Sequence, residues 1–372
     1  MKKFFLESIV SFLGIFIGIK YLKFGKMSQK TAYDVLNNND LKPIGQIQGE
    51  NSEEKVVNDE KKLFDLNVIV PVYNAENFVE ECLNSIISNK TEFNYQITII
   101  NDGSSDKSYK IIEKYSKISS VKIINQENLG IGATRNIGIN CCKSKYVLFV
   151  DADDILFSDA IQKLMGVAIY NDADIVQGSY VRKFKNKEKK MEYSESTSFD
   201  KNKLNGYPWG KVIKKDSFKN INFPKGYYFE DTLLSMFVYQ RVSKVVIIPD
   251  IVYKYRVNPN GIVHTLSNNY RAIDSFWITE LILKNYEIYS IKKDDIFLKK
   301  VILKQFAINF RRCAFLKPLT IQKAIFELTI INFDRLDEDF SSLGVLFDLF
   351  IESIVRKNFN KFFVLCFLIK YI

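Results

Sequence analysis

The stretch Val147-Leu148-Phe149-Val150-Asp151-Ala152-Asp153-Asp154 decides how this chain is read. Four apolar residues in a row have the pattern of a strand buried on both faces, and they run straight into three carboxylates. In an open α/β sheet the carboxyl ends of the strands border the ligand crevice, so acids at that position stand where ligands bind. Asp151 and Asp153 are two residues apart, and a locally bent backbone can aim both at one point. Hard oxygen ligands suit magnesium or manganese carrying a phosphorylated substrate. The competing reading is a solvated turn capping a helix that begins near Ser158.

Strands and helices alternate on both sides of this stretch. Leu66–Val72 is a β-branched run ending at Pro71-Val72-Tyr73-Asn74, a strand-to-loop signal. Ala75–Ser88 has helical spacing through Phe78, Cys82, Ile86 and Ile87. Tyr95–Ile100 is a second strand, followed by the turn Asn101-Asp102-Gly103-Ser104-Ser105 and a helix capped by Asp106. Val121–Ile124 is a third strand, Gly132–Cys141 a helix and Tyr146–Val150 the fourth strand. Ser158–Tyr170 is a helix and Asp174–Gln177 a fifth strand. This alternation predicts a mostly parallel sheet with right-handed crossovers and flanking helices. No Gly-x-Gly-x-x-Gly follows the first strand and no Gly-Lys-Ser/Thr loop occurs, which excludes dinucleotide and P-loop sites.

Farther along, Lys183–Lys203 reads as a charged surface loop or exposed hairpin. Glu230-Asp231 opens a helix. Lys244–Ile248 and Ile251–Tyr255 read as a strand pair turning at Pro249-Asp250. Beyond Leu266 the pattern is helical to the end. The apolar, lysine-bearing Ile351–Ile372 is either a membrane-facing helix or one packed in a helical core.

The chain has 372 residues, 47% hydrophobic and 26% charged, with a net charge of +10. That charge favours an anionic membrane surface or phosphorylated substrates; no zinc-finger or Arg-rich pattern points to nucleic acid. Five cysteines without a Cys-x-x-Cys suggest free thiols in a reducing compartment. At the N-terminus, Phe4–Ile19 is apolar and flanked by Lys2, Lys3, Lys20, Lys23 and Lys26. As a helix it would span roughly 24 Å, short of the ~30 Å hydrocarbon core. It reads as an interfacial anchor, a marginal span or a core helix. If it spans, the lysine-rich flank places the bulk of the protein in the cytoplasm. Residues 1–26 are therefore expected to form an apolar, membrane-associating helix. Residues 27–63 form a polar linker, partly helical at Ser28–Leu36, before the α/β domain of residues 64–265 and the helical region of residues 266–372.

Val68-Ile69-Val70-Pro71-Val72-Tyr73-Asn74, Asn101-Asp102-Gly103-Ser104-Ser105-Asp106, Asn128-Leu129-Gly130 with Ala133-Thr134-Arg135-Asn136, Asp151-Ala152-Asp153-Asp154 and Glu230-Asp231 occur in the order found in family 2 glycosyltransferases. Over about Phe64–Thr265 the chain resembles that family, inverting enzymes of the Rossmann-like GT-A fold. It looks most similar to bacterial members that build capsule, exopolysaccharide or cell-wall glycans. The resemblance implies that Pro71, Val72 and Tyr73 line a nucleobase pocket and that Asp102 hydrogen-bonds the base, usually uracil. It implies that Asp151 contacts ribose or sugar, that Asp153 binds the divalent metal with Asp151 beside it, and that Arg135 lies near the donor. Asp231 would be the general base, with Glu230 as the alternative.

Trp209 could stack on a sugar ring or be a structural core residue. His264, after Asn258-Pro259-Asn260-Gly261, could add a metal or phosphate ligand or be an ordinary loop histidine. No Gln-x-x-Arg-Trp motif occurs, so one sugar per event is expected, not polymerisation. The expected reaction is metal-dependent transfer from a UDP-sugar to a glycan hydroxyl, with a lipid-linked or cell-surface precursor as acceptor, at the cytoplasmic face of a membrane. The chain could also act as an oligomer or beside a partner transferase. The competing readings are a sugar-phosphate nucleotidyltransferase and a degenerate domain that stabilises a partner transferase.

Overall fold

The computed structural model describes residues 27–37, 64–194, 196–197, 201–258, 261, 269–286 and 295–371. The expectations for Phe4–Ile19 and for His264 lie outside these residues. The chain divides into two compact units, Gly45–Gly261 and Met1–Ile44 with Ile262–Ile372. The first described helix, α1 (Gln29–Asn37), belongs to the second of these.

The first unit is built on one mixed sheet. β1 (Phe64–Val72) lies between β2 (Tyr95–Asp102) and β4 (Ser144–Phe149), parallel to both, and β3 (Val121–Gln126) adds in parallel beyond β2. The strand order runs β3-β2-β1-β4-β9-β6-β10-β5. Here β5 is Ile155–Leu156, β6 Ile175–Lys183, β9 Lys211–Lys214 and β10 Val245–Arg256. β7 (Glu188–Met191) folds back on β6, so the charged segment is a hairpin, and β8 (Ser196–Thr197) pairs with β10. The helices α2 (Val79–Ile87), α3 (Ser108–Glu113), α4 (Ile131–Asn140), α5 (Ala160–Tyr170) and α6 (Thr232–Met236) complete the unit. α2 buries Val79, Cys82, Leu83 and Ile86, the i, i+3, i+4, i+7 set that seats a helix on a sheet.

Two expectations are corrected. Lys244–Ile248 and Ile251–Tyr255 are not a strand pair but one strand, β10, parallel to β6, whose register shifts between Ile247 and Ile251 and again before Tyr253. Pro249 cannot donate to a ladder, and a bulge accommodates it where a turn was read. The predicted mostly parallel sheet also holds an antiparallel strand between β4 and β6: β9, for which the sequence offered no strand expectation. Because β9 opposes both neighbours, β6 and β10 still run with β1–β4, and their carboxyl ends share one edge.

The second unit is helical: α1, α7 (Asp274–Lys284), α8 (Ile296–Cys313), α9 (Thr320–Leu336), α10 (Val345–Val355) and α11 (Phe359–Leu368). The expected helix over Ile351–Ile372 is broken at Lys357 (φ 53), and Asn358 caps α11 by accepting from the Lys361 N–H at 3.0 Å. α11 buries Phe359, Phe362, Leu365 and Cys366, with Phe362 against Phe310, Phe326 and Phe350. That favours the core-packing reading over a membrane face. α1 buries Ala32 and Leu36 and packs on α9, while Tyr33 stacks on Trp277 and donates to Glu280. Among the described residues no helix is long and apolar enough to cross a membrane.

Candidate functional site

The loops after β1 and β2 are stitched together by side chains. Pro71 and Val72 are buried, whereas Tyr73 is 52% exposed. Asn74, at φ 46, donates its N–H to Ser104 Oγ (3.1 Å), and its Oδ1 accepts from the Ser105 N–H (2.8 Å). Asp102 is buried, and its carboxylate accepts from the N–H groups of Leu129 and Gly130, both at 2.9 Å, and from the Gln126 amide. Asp102 therefore anchors the Asn128-Leu129-Gly130 loop. Oδ2 accepts one of these bonds and keeps capacity for a second donor. Gly103 fits this join because a Cβ there would lie 2.8 Å from Asn128 N.

Arg135, from α4, connects the acidic positions. Its buried guanidinium pairs with Glu230 on one side and with Asp151 Oδ1 at 3.1 Å on the other. The rings of Phe149 and Phe223 each lie 5.8 Å from it. The structure thus joins the end of β4, α4 and the start of α6 through one cation. Burial pushes the Glu230 carboxyl up from its usual range; Arg135 pulls it back and Asp231 adds to the rise. Phe229, just before the pair, sits at φ 67 in the left-handed region, a strained conformation of the kind that gathers at functional sites. Glu230 is buried in its ion pair, and Asp231 is half-buried.

The acidic turn is built from β10, which sequence reasoning did not identify. Asp154 is fully buried; it accepts from Tyr253 Oη at 2.8 Å and from the Arg256 N–H at 2.7 Å. The same Tyr253 oxygen accepts from the Asp151 N–H at 3.1 Å, and Arg256 Nε donates to the Asp153 carbonyl. Of the three acids in this turn, Asp154 is a buried fastening, whereas Asp151 and Asp153 are only partly buried. Burial and the charge of Asp151 push the Asp153 carboxyl up to about 6. A carboxylate whose charge is this poorly compensated suits a cation. Among the described residues no group of three or more His, Cys, Asp or Glu side chains could hold a metal. Asp153 and Asp151 are the two carboxylates here that could contribute to a hard-ion site, and such an ion would need water and substrate oxygens to complete its shell, as magnesium does.

Trp209 takes the structural one of its two readings. It is 4% exposed, stacked against Tyr207 (4.5 Å) and Tyr253 (4.7 Å), with Tyr255 also stacked and Tyr180 edge-on. Its ring supports Tyr253, and through it the acid turn, and is not open to a sugar. Lys211 was also missed. Fully buried, it donates to Asn205 O (2.8 Å), Asn205 Oδ1 (2.8 Å) and Tyr239 Oη (2.9 Å). Burial pushes its pKa well down while Asp231 raises it. The three acceptors call for three protons, which favours the ammonium form.

Residues 67–230, which include Asp102, Arg135, Asp151, Asp153 and Glu230, match the family model described as Glycosyl transferase family 2. The chain is 33% identical over 219 residues to the glycosyltransferase GlyA of Streptococcus pneumoniae, covering 53% of this chain and 31% of that protein. It is 29% identical to the putative glycosyltransferase EpsH of Bacillus subtilis (53% and 62%). It is 27% identical to a poly(ribitol-phosphate) beta-glucosyltransferase of Bacillus spizizenii (53% and 33%). The chain thus spans less than two thirds of the length of these relatives. The crystal structure of S. aureus TarS 1-349 in complex with UDP shares the fold, with a TM-score of 0.63 at 19% identity, over 81% of this chain and 90% of that one. Residues 67–230 are thus a family 2 glycosyltransferase domain.

Proposed function

We propose that the protein is a metal-dependent, inverting GT-A glycosyltransferase that moves one sugar from a UDP-sugar to a hydroxyl of a glycan or polyol acceptor. The observation that carries this reading is the Arg135 bridge, which gathers Asp151 and Glu230 at one edge, with the half-buried Asp231 next to Glu230 in the chain. TarS was crystallised with UDP and with UDP-GlcNAc, which supports a uridine nucleotide as donor. Relatives in teichoic acid synthesis support a cell-wall polymer as acceptor.

In this reading Pro71, Val72 and Tyr73 flank the base, and Asp102 offers the spare acceptor of Oδ2 to it. Asp153, with Asp151, would hold a divalent manganese or magnesium ion, which offsets charge on the leaving diphosphate when bound. Asp231 takes the acceptor hydroxyl proton as the oxygen bonds to the anomeric carbon and the bond to the diphosphate oxygen breaks. Attack from the opposite side inverts that carbon. Glu230 holds Arg135, and Arg135 holds Asp151.

The test is binding and slow hydrolysis of a panel of nucleotide sugars, with and without manganese. One UDP-sugar should be hydrolysed only with metal. Asp153→Ala should abolish that dependence and the turnover. Asp231→Asn should bind donor normally and turn over at least roughly 100-fold more slowly, the usual size of a general-base contribution. If no nucleotide sugar binds under any metal condition, the reading fails.

A further inference from the structure

The β6–β7 hairpin treats its two faces differently. Its register sets Arg182 opposite Lys189 and Lys183 opposite Glu188. Strand alternation then puts Arg182 and Lys189 on one face and Lys183, Glu188 and Lys190 on the other. The second face is compensated: Lys183 and Lys254 reach Glu188 at 3.3 and 3.4 Å, and Lys190 reaches Glu192 at 3.8 Å. On the first face Arg182 and Lys189 meet no carboxylate among the described residues, nor does Lys187 at the turn. Arg182 and Lys189 oppose each other directly, an arrangement that destabilises a strand pair unless an anion relieves it.

The same face carries a track of rings that begins at the acid turn. Tyr253, which holds Asp151 and Asp154, stacks on Trp209, and Trp209 stacks on Tyr207 and Tyr255. Arg182 lies 5.6 Å from the Tyr255 ring and 5.9 Å from Phe184, and Lys187 lies 5.4 Å from Phe184. Tyr207 is 40% exposed. Tyr253 and Trp209 are buried and only brace this track; the rings with open surface are Tyr207, Tyr255 and Phe184, and these together with the unmatched cations suit a chain that alternates C–H-rich units with anions. A neutral glycan would leave the cations unused, and a flat bilayer surface would not use rings leading to the acids.

We infer that this face is an extended acceptor subsite for a chain of phosphodiester-linked polyol or sugar units, its phosphates on Arg182, Lys187 and Lys189 and its reacting unit at the acid edge. This rests on the transferase reading above. The test uses the full chain and a charge-matched pair of double variants, Lys187→Ser/Lys189→Ser and Lys183→Ser/Lys190→Ser. Binding is measured to poly(ribitol phosphate), to an uncharged glycan and to anionic phospholipid vesicles, with UDP-sugar binding and hydrolysis as the control. The first variant should bind poly(ribitol phosphate) roughly tenfold or more weakly, with a flatter salt dependence, while the second changes by about twofold or less. UDP-sugar hydrolysis should be unchanged in both. Equal losses in the two variants, or no loss in either, would overturn the inference. So would a loss confined to vesicles, which would make the face a membrane contact. Face-specific polymer binding without any UDP-sugar binding would instead sink the transferase reading and leave the subsite standing.

Discussion

Arg135 makes two adjacent acids chemically unequal. An arginine stays protonated under all ordinary conditions, so the oxygens of Glu230 that it holds are poor proton acceptors. Asp231 is only half-buried, where Glu230 is buried, and is the proposed general base. The two should therefore fail differently when neutralised. Glu230→Gln takes from buried Arg135 its buried carboxylate partner, and removing one partner of a buried pair costs about 3–5 kcal/mol. Because Asp151 remains, the low end is expected, read as a lowered thermal midpoint with turnover lost alongside. Asp231→Asn, at a half-buried position, should lose less stability than Glu230→Gln. Equal melting of the two variants would remove the division of roles. Asp153 sets a pH dependence. Its carboxyl is raised to about 6, and a metal binds only the ionised form, so manganese affinity should rise with pH through about 6 and then level off. Calorimetric titration between pH 5 and 8 checks this; affinity flat across that range would mean that Asp153 is not a ligand. Asp151, Asp153, Glu230 and Asp231 were legible because each sits beside a strand end or helix start in its own short motif. Asp154, Tyr253 and Arg256 were not, because their hydrogen bonds join segments about a hundred residues apart, and nothing local separates Asp154 from its neighbours.

Among the elements, α4 is the one whose placement the chemistry depends on, and glycine sets that placement. A Cβ on Gly132 would lie 2.3 Å from the Pro224 carbonyl oxygen, and one on Gly138 would lie 2.4 Å from Ile69 Cγ2. The first contact is with backbone, which cannot swing aside. Gly132→Ala should therefore destabilise by about 1–3 kcal/mol, the usual cost of overpacking, and displace Arg135 less than a turn away. Gly166, inside α5, has nothing within 4 Å of its would-be Cβ. Gly166→Ala should thus gain roughly 0.5–1 kcal/mol from helix propensity alone. Melting both variants checks the contrast, and a Gly132→Ala protein as stable and active as wild type would refute the packing account. β1, β2 and β4 were readable because buried parallel strands are written as largely apolar runs. β9 is four residues bracketed by lysines, Lys211-Val212-Ile213-Lys214, and its partners lie on both sides of it in space. β10 contains Pro249-Asp250, a turn signal that only the neighbouring β6 reveals as a bulge.

For the whole molecule, the consequential segment is α1, because it lies between the apolar N-terminus and the α/β domain in sequence but belongs to the helical unit in space. Its polar composition reads as linker, and only its partners show that it is structural. Ala32 and Leu36 are buried on α9, and Tyr33 joins Trp277 and Glu280 of α7. Burying side chains of this size contributes roughly 3 kcal/mol or more to the helical unit. A chain trimmed to Phe64–Ile372 should therefore melt several degrees lower than one trimmed to Met27–Ile372, and it should expose apolar surface to a hydrophobic dye. If the two melt alike, α1 is dispensable and its contacts add nothing net. The same pair of chains separates anchoring from folding. Comparing Met27–Ile372 with the full chain in membrane fractions tests Phe4–Ile19 as an anchor without disturbing the helical unit. Release of the shorter chain would assign membrane association to Phe4–Ile19. Retention would exclude that segment as the main anchor and direct attention to the basic surfaces of the folded units.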